Sequence, residues 1–306
     1  MSDRIGFIGL GNMGAPMAEQ LLNAGREVHV FDLSEASVEK VVGLGATAAA
    51  SVAEVADGSE TIITMLPAGT HVRSVYLGAG SLIDAAAPGT LLIDCSTIDV
   101  ETSRAVGAAA VEAGHEMIDA PVTGGVMAAR VGKLNFMVGG AEKSVERARP
   151  LLEIMGQKVL HAGPQGDGIG VKICNNMSLG ICMIAAAEAM MMAKRLGLDP
   201  KRTHEIMSNA SGMSWPLVNY CPLPGIVDGV PANDGYRPGF SAAMMRKDLR
   251  LAQEAALSAE ANTPLGAHAL AIFSHFCDSG HLETDYSGIS KLIGGDAWDY
   301  PRDSGE

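Results

Sequence analysis

Residues 4–17, Arg4-Ile5-Gly6-Phe7-Ile8-Gly9-Leu10-Gly11-Asn12-Met13-Gly14-Ala15-Pro16-Met17, decide the fold. A short apolar run ends in Gly9-x-Gly11-x-x-Gly14, and a helix-like stretch follows from Ala15. In this order a strand delivers a tight turn to a helix N-terminus. Gly9 permits the turn, Gly11 lets a pyrophosphate approach the backbone, and Gly14 lets the helix pack closely on the strand. The N–H groups at the helix start favour an anion. Taken alone, the pattern fits a glycine-rich turn without a ligand equally well. Its surroundings narrow the choice. Glu27-Val-His-Val-Phe31 alternates as a second strand and stops at Asp32, about 20 residues past the glycines, where a ribose-binding carboxylate belongs. Such a carboxylate accepts from a ribose 2′-hydroxyl and repels a 2′-phosphate, so NAD is the expected cofactor rather than NADP.

Further strand-like runs lie at Thr61–Met65, Leu91–Asp94, Glu116–Asp119 and Leu134–Val138, with helical stretches between most of them, including Pro16–Asn23 and Val100–Ala113. Repeated strand–helix alternation implies an α/β domain with a doubly wound parallel sheet, a Rossmann domain, over residues 1–163. Ligands on such sheets bind beyond the carboxyl ends of the strands. Attention therefore falls on Leu66-Pro67, Ser96-Thr97 and Pro121 to Gly125. After His161 the character changes. The glycine-rich junction Gly163 to Gly170 leads into a long apolar pattern from about Val171 to Leu196, closed by Gly197 and Pro200. Met183, Met190, Met191 and Met192 make it apolar on nearly all sides, as in a core helix that also packs against a partner subunit. Helices are expected at Lys201–Ser208, Ser241–Ala261 and Pro264–Ser279, and an ordered loop over Pro216–Pro238. Residues 164–306 are thus expected to form an all-α domain joined to the first by a long interdomain helix, with a frayed tail after Trp298.

Composition limits the function. The chain has 306 residues, 47% of them hydrophobic and 19% charged, enough for a sizeable core. A net charge of -13 argues against nucleic acid or an anionic membrane as partner. No apolar run looks long enough to span a bilayer, and no basic segment precedes an apolar signal core. The five cysteines contain no C-x-x-C pair, which points to a reducing, cytoplasm-like compartment; a processed protein of the mitochondrial matrix would read the same way. No histidine pair has metal-ligand spacing, and His268 and His275 read as a solvated or packed pair. No metal is expected.

Three constellations could carry chemistry. Lys172 and Asn176 are four residues apart at the start of the long helix and share one face. Gly166, Gly168 and Gly170 remove bulk just before them, which would admit a ligand. A lysine in a closed cleft can exchange a proton with an alcohol oxygen, and a neighbouring amide can orient it. A surface lysine beside a locally packed asparagine fits the spacing as well. Thr123-Gly124-Gly125 offers a hydroxyl and two unobstructed N–H groups, either a carboxylate cradle or a simple turn. Lys247-Asp248 falls well inside a later helix, where an ordinary surface pair is an open alternative.

Four motifs carry a resemblance: residues 7–17, Asp119-Ala-Pro-Val-Thr-Gly-Gly125, Gly-x-Gly-x-x-x-Lys172-x-x-x-Asn176, and Met244-x-x-Lys247-Asp248-Leu249. Together they resemble the β-hydroxyacid dehydrogenase family over nearly the whole chain, to about Ile293. The loop Tyr220-Cys-Pro-Leu-Pro-Gly-Ile-Val-Asp-Gly-Val-Pro231 resembles that of its 3-hydroxyisobutyrate-oxidising branch. The resemblance implies a small β-hydroxy acid as substrate, NAD as cofactor and a homodimer or homotetramer. It implies Lys172 as acid/base with Asn176 assisting, and Thr123, Gly124 and Gly125 on the substrate carboxylate. Cofactor contacts would come from Gly9, Gly11, Asn12, Met13, Gly14, Asp32, Met65, Leu66, Pro67, Thr97 and Lys247. Thr123 departs from the usual serine, and His71 from the usual asparagine. Tartronate-semialdehyde and succinic-semialdehyde reductases share the scaffold, and a non-catalytic NAD sensor is a separate class that would need no proton acceptor.

Overall fold

A computed structural model describes residues 4–295; the expected frayed tail after Trp298 lies outside them. The first part alternates strand and helix: β1 (Ile5–Ile8), α1 (Gly14–Asn23), β2 (Val28–Phe31), α2 (Glu35–Val42), β3 (Thr47–Ala48) and α3 (Val52–Ala56). There follow β4 (Thr61–Thr64), α4 (Gly69–Leu77), α5 (Leu82–Ala85), β5 (Leu91–Asp94), α6 (Val100–Glu112) and β6 (Glu116–Asp119). Then come β7 (Val122–Thr123), α7 (Gly125–Arg130), β8 (Leu134–Gly140), α8 (Glu142–Met155) and β9 (Gly156–Gly163). The strand order is β3-β2-β1-β4-β5-β6-β8-β7, with β9 paired to β8. Strands β1 to β6 run parallel, as the alternation requires.

The far side of the sheet is mixed. Strand β8 is antiparallel to both β6 and β7. A parallel return needs a crossover of a dozen or more residues, usually a helix across the sheet. The link from Thr123 to Leu134 holds only the short α7, so the chain turns back beside its own strand. Strand β9 was not foreseen, because as an edge strand it is mostly exposed and lacks apolar alternation.

The sheet core is built from the inward faces of these strands and of α1 and α8, with Phe7, Met17, Leu21, Ile63, Ile93 and Phe136 fully buried. Each such side chain contributes roughly 1.5–3 kcal/mol. Several helix starts are set by short polar side chains. Ser34, Ser51, Asp99, Asp199 and Ser241 each accept the backbone N–H three residues on, a cap that contributes about 1 kcal/mol.

Helix α9 (Asp167–Arg195) continues into a helical region: α10 (Pro200–Ser208), α11 (Trp215–Asn219), α12 (Ala242–Ser258), α13 (Pro264–Phe276) and α14 (Ile289–Gly294). The compact packing units divide after Lys172, inside α9. In the second unit Met183, Met245, Leu249, Phe273 and Phe276 form the main core. The expected loop over Pro216–Pro238 starts helically instead: Ser214 caps α11, and Pro216 occupies its first turn, where no N–H is needed. α9 also corrects one expectation, since by length and composition alone it could cross a membrane. Of its most apolar window, 44% is packed inside the protein.

α9 begins four residues earlier than expected, so Gly168 and Gly170 lie within it. A Cβ on Gly168 would strike Met137 O, with Asp119 Oδ2 at 2.7 Å and Gly139 N at 2.8 Å, whereas one on Gly170 meets nothing within 4 Å. Gly168 therefore serves close packing on β8, and of the two only Gly170 leaves open space. Gly168→Ala is expected to destabilise the protein by about 1–3 kcal/mol through overpacking. Gly170→Ala is expected to be neutral or stabilising by up to about 1 kcal/mol. Denaturant titration of both variants checks the contrast.

Candidate active site

The glycine turn sits where the sheet changes direction, between β1 and β4. Gly9 has φ +95°, and a Cβ there would strike Met65 O just beyond β4. Gly14 is filled in the same way by Gly9 O and the Phe7 ring. Gly11, between them, faces open space, and Asn12 is exposed while Met13 is half-buried. A cavity of about 490 Å³ opens here, lined by Leu10, Gly11, Asn12, Ser37, Lys40 and Arg130 among others. Asp32, at the end of β2, accepts Leu10 N–H at 2.6 Å and Ser34 N–H at 2.7 Å. The acid thus braces the glycine turn itself. An open backbone at Gly11, a carboxylate beyond β2 and a cavity at the switch point fit a dinucleotide.

The loops after β4 and β5 are tied to a buried acid. Leu66 N–H donates to Ser96 Oγ at 2.8 Å, and Ser96 Oγ donates to Asp94 Oδ1 at 2.5 Å. Thr64 Oγ1 donates to the same oxygen at 2.8 Å and meets Tyr76 Oη at 2.9 Å. Burial pushes the Asp94 carboxyl above its usual range. The network holds Met65, Leu66 and Thr97 half-buried, with Pro67 exposed beside them. His71 is exposed on α4.

Strand β6 ends on Asp119, which is 0% exposed. Its carboxylate accepts Gly166 N–H at 2.6 Å and Ile169 N–H at 2.8 Å, the backbone at the start of α9. Burial raises this carboxyl to about 6, and the Asp94 charge adds to the effect. Four residues beyond Asp119, Thr123 is half-buried, and Gly124 and Gly125 have φ +120° and +66°. Positive φ at two consecutive positions demands glycine. Lys172 stands on the second turn of α9 and is only 7% exposed.

One turn later on the same face of α9, Asn176 is 2% exposed. Its Nδ2 donates to Asp248 Oδ2 at 2.6 Å, and its Oδ1 accepts from Asn175 at 2.9 Å. Asp248 is 3% exposed, which overturns the surface-pair reading of Lys247-Asp248. Its Oδ1 has no hydrogen bond of good geometry but lies 3.4 Å from Lys247 Nζ, a charge contact rather than a directed bond. Asp119 and Asp248 are the residues that sequence reading left without a role. Only their places within the motifs Asp119-Ala-Pro and Lys247-Asp248-Leu marked them. Trp215 is 55% exposed and stacks on Tyr220, whose Oη donates to Asp285 at 3.1 Å. Trp215 is therefore not a core residue. Among the described residues no group of His, Cys, Asp and Glu is gathered to hold a metal.

Fold and site together define an NAD-dependent oxidoreductase of two parts, a Rossmann-type sheet and a helical region. The NAD-binding domain described from 6-phosphogluconate dehydrogenase matches residues 4–163, and a domain described as NAD-binding of NADP-dependent 3-hydroxyisobutyrate dehydrogenase matches residues 166–293. A 3-hydroxyisobutyrate dehydrogenase of Pseudomonas aeruginosa is 48% identical over 95% of this chain and 98% of its own. An NAD-dependent L-serine dehydrogenase of the same organism is 46% identical over 95% of this chain and 97% of its own. A solved 3-hydroxyisobutyrate dehydrogenase of Mycobacterium tuberculosis with L-serine is 41% identical, covers 96% of this chain and 100% of its own, and superposes with a TM-score of 0.92. The chain belongs to the 3-hydroxyisobutyrate dehydrogenase family, NAD-dependent oxidoreductases of small hydroxy acids.

Asp32→Ala removes the brace on Leu10 and Ser34. It is expected to weaken NADH binding, measured by fluorescence titration, and to raise the NADP-to-NAD preference; an unchanged preference would take Asp32 out of cofactor selection.

Proposed function

We propose that the chain oxidises 3-hydroxyisobutyrate to methylmalonate semialdehyde with Lys172 as acid/base. The observation that carries the reading is the buried Lys172, one helical turn from an Asn176 whose amide is anchored by the buried Asp248. The substrate carboxylate rests on the Thr123 hydroxyl and on the N–H groups of Gly124 and Gly125, two consecutive positions of positive φ. Lys172 accepts the hydroxyl proton as the carbinol hydride leaves, and returns it in the reverse direction. Asn176 orients the lysine and the substrate oxygen. NAD, when bound, accepts the hydride. Gly9, Gly11, Asn12, Met13, Gly14 and Asp32 hold its pyrophosphate and ribose, while Met65, Leu66, Pro67 and Thr97 line the nicotinamide end. Residues 1–163 form the NAD-binding domain, and 164–306 the substrate and oligomerisation domain. The exposed Met192, Leu196, Leu198 and Ile206 support a homodimer or homotetramer. Five free cysteines suit a reducing compartment such as the cytoplasm.

A second reading is favoured by the 46% identity to an L-serine dehydrogenase. L-Serine shares the β-hydroxy acid core and carries an ammonium where 3-hydroxyisobutyrate carries a methyl group. NADH formation from both acids separates the two: 3-hydroxyisobutyrate is expected to have the higher kcat/KM, and a higher value for L-serine would replace the first reading with the second. Lys172→Ala is expected to lower kcat by about 10²–10⁴-fold with NADH affinity unchanged. Wild-type turnover in that variant would remove the lysine from the mechanism.

A further inference from the structure

We propose that Asp119 is a positioning residue for the reaction, its carboxylate fixing the start of α9, and with it Lys172, against the strand end that leads to Thr123-Gly124-Gly125. This rests on the reading of Lys172 and the cradle given above. The strand β6 and the helix α9 lie far apart in sequence, yet one side chain joins them through two backbone N–H groups at 2.6 and 2.8 Å. Gly166 and Ile169 flank the first turn of α9, and Lys172 follows three residues after Ile169. In the other direction, Thr123 is four residues from Asp119. One carboxylate therefore sets the spacing between the proton acceptor and the substrate's anchor.

The surroundings are shaped for that contact. A Cβ on Gly139 would come within 2.5 Å of Asp119 Oδ1, and one on Gly168 within 2.7 Å of Oδ2. Two glycines, one on β8 and one on α9, thus clear space for the carboxylate to reach the helix backbone. No capping residue on α9 itself would link the helix to the sheet in this way. Misplacing a reacting group by about 1 Å costs on the order of 100-fold in rate, so such a tie bears on kcat.

The tie also responds to protons. Burial holds the Asp119 carboxyl near 6. Asp94, its partner in register on β5, faces it as a like charge. Strand β8 carries no titratable side chain. The charges on other packed elements are engaged elsewhere: Arg104 of α6 with Asp167 of α9, and Arg147 of α8 with Glu116 of β6. His161 of β9 turns its Nε2 to the Gly140 and Gly163 carbonyls. Below pH 6 one Asp119 oxygen becomes a hydroxyl and no longer accepts, so one of the two N–H groups loses its partner.

Asp119→Asn imitates that protonated state at every pH. Assayed beside wild type and Lys172→Ala, it is expected to lower kcat by about 10- to 100-fold, to leave NADH affinity within about threefold, and to lack the acid limb near pH 6 expected in the wild-type kcat–pH profile. Wild-type kcat and an unchanged acid limb in Asp119→Asn, with Lys172→Ala inactive, would overturn the positioning role and leave the functional reading standing. Full activity in Lys172→Ala would overturn the functional reading itself. Should Asp119→Asn fail to fold, the wild-type profile decides. An acid limb near pH 6 in kcat, absent from NADH binding, supports the role, and a flat kcat from pH 5 to 7 refutes it.

Discussion

Carboxylates at the carboxyl ends of three strands hold this structure's working loops in place. Asp32 beyond β2 takes the N–H groups of Leu10 and Ser34, Asp94 on β5 takes Ser96, and Asp119 on β6 takes Gly166 and Ile169. A hydrogen bond to a charged group contributes about 1.5–3 kcal/mol, and a strand end is among the more rigid points of a sheet. The glycine turn, the β4–β5 loops and the start of α9 are in this way referred to one rigid frame. Loops carry the chemistry in such folds because a scaffold positions them. Here the scaffold reaches out with side chains to do so.

Asp119 shows what this arrangement demands. The folded protein binds its proton near pH 6, against an ordinary value of 3.8. A raised carboxyl favours the protonated folded state, so its effect on stability is best below 3.8. It worsens as pH rises through 6, by on the order of 3 kcal/mol at neutrality. Ionised at working pH, the group stabilises the fold less than its protonated form would, and what it positions accounts for it. Asp94 is raised in the same direction and by the same cause, burial. Its bonds to Ser96 and Thr64 favour the charged form and partly offset that burial.

Much of the fold was legible because it rests on local signals. The strands β1, β2, β4, β5 and β6 are apolar runs of fixed length, and the turn glycines have distinct steric duties at Gly9, Gly11 and Gly14. Strand β9 and the early start of α9 were not legible, since an exposed edge strand has no apolar rhythm and the glycines at 168 and 170 are weak helix formers that mask the helix start. The candidate site was read in a different way. Lys172, Asn176 and Thr123 through Gly125 were ambiguous by spacing and drew their roles from family motifs. Asp119 and Asp248 are short acids whose burial depends on backbone or side-chain partners distant in the chain. A sequence displays the acid and not the partner.

Transfer of deuterium from C3 of 3-hydroxyisobutyrate to the coenzyme tests the central claim most directly. The account expects the label at nicotinamide C4 and a primary isotope effect on hydride transfer, with turnover lost when Lys172 is removed. Label appearing in solvent, or NADH formed without it, would contradict direct hydride transfer in a site assembled around Lys172.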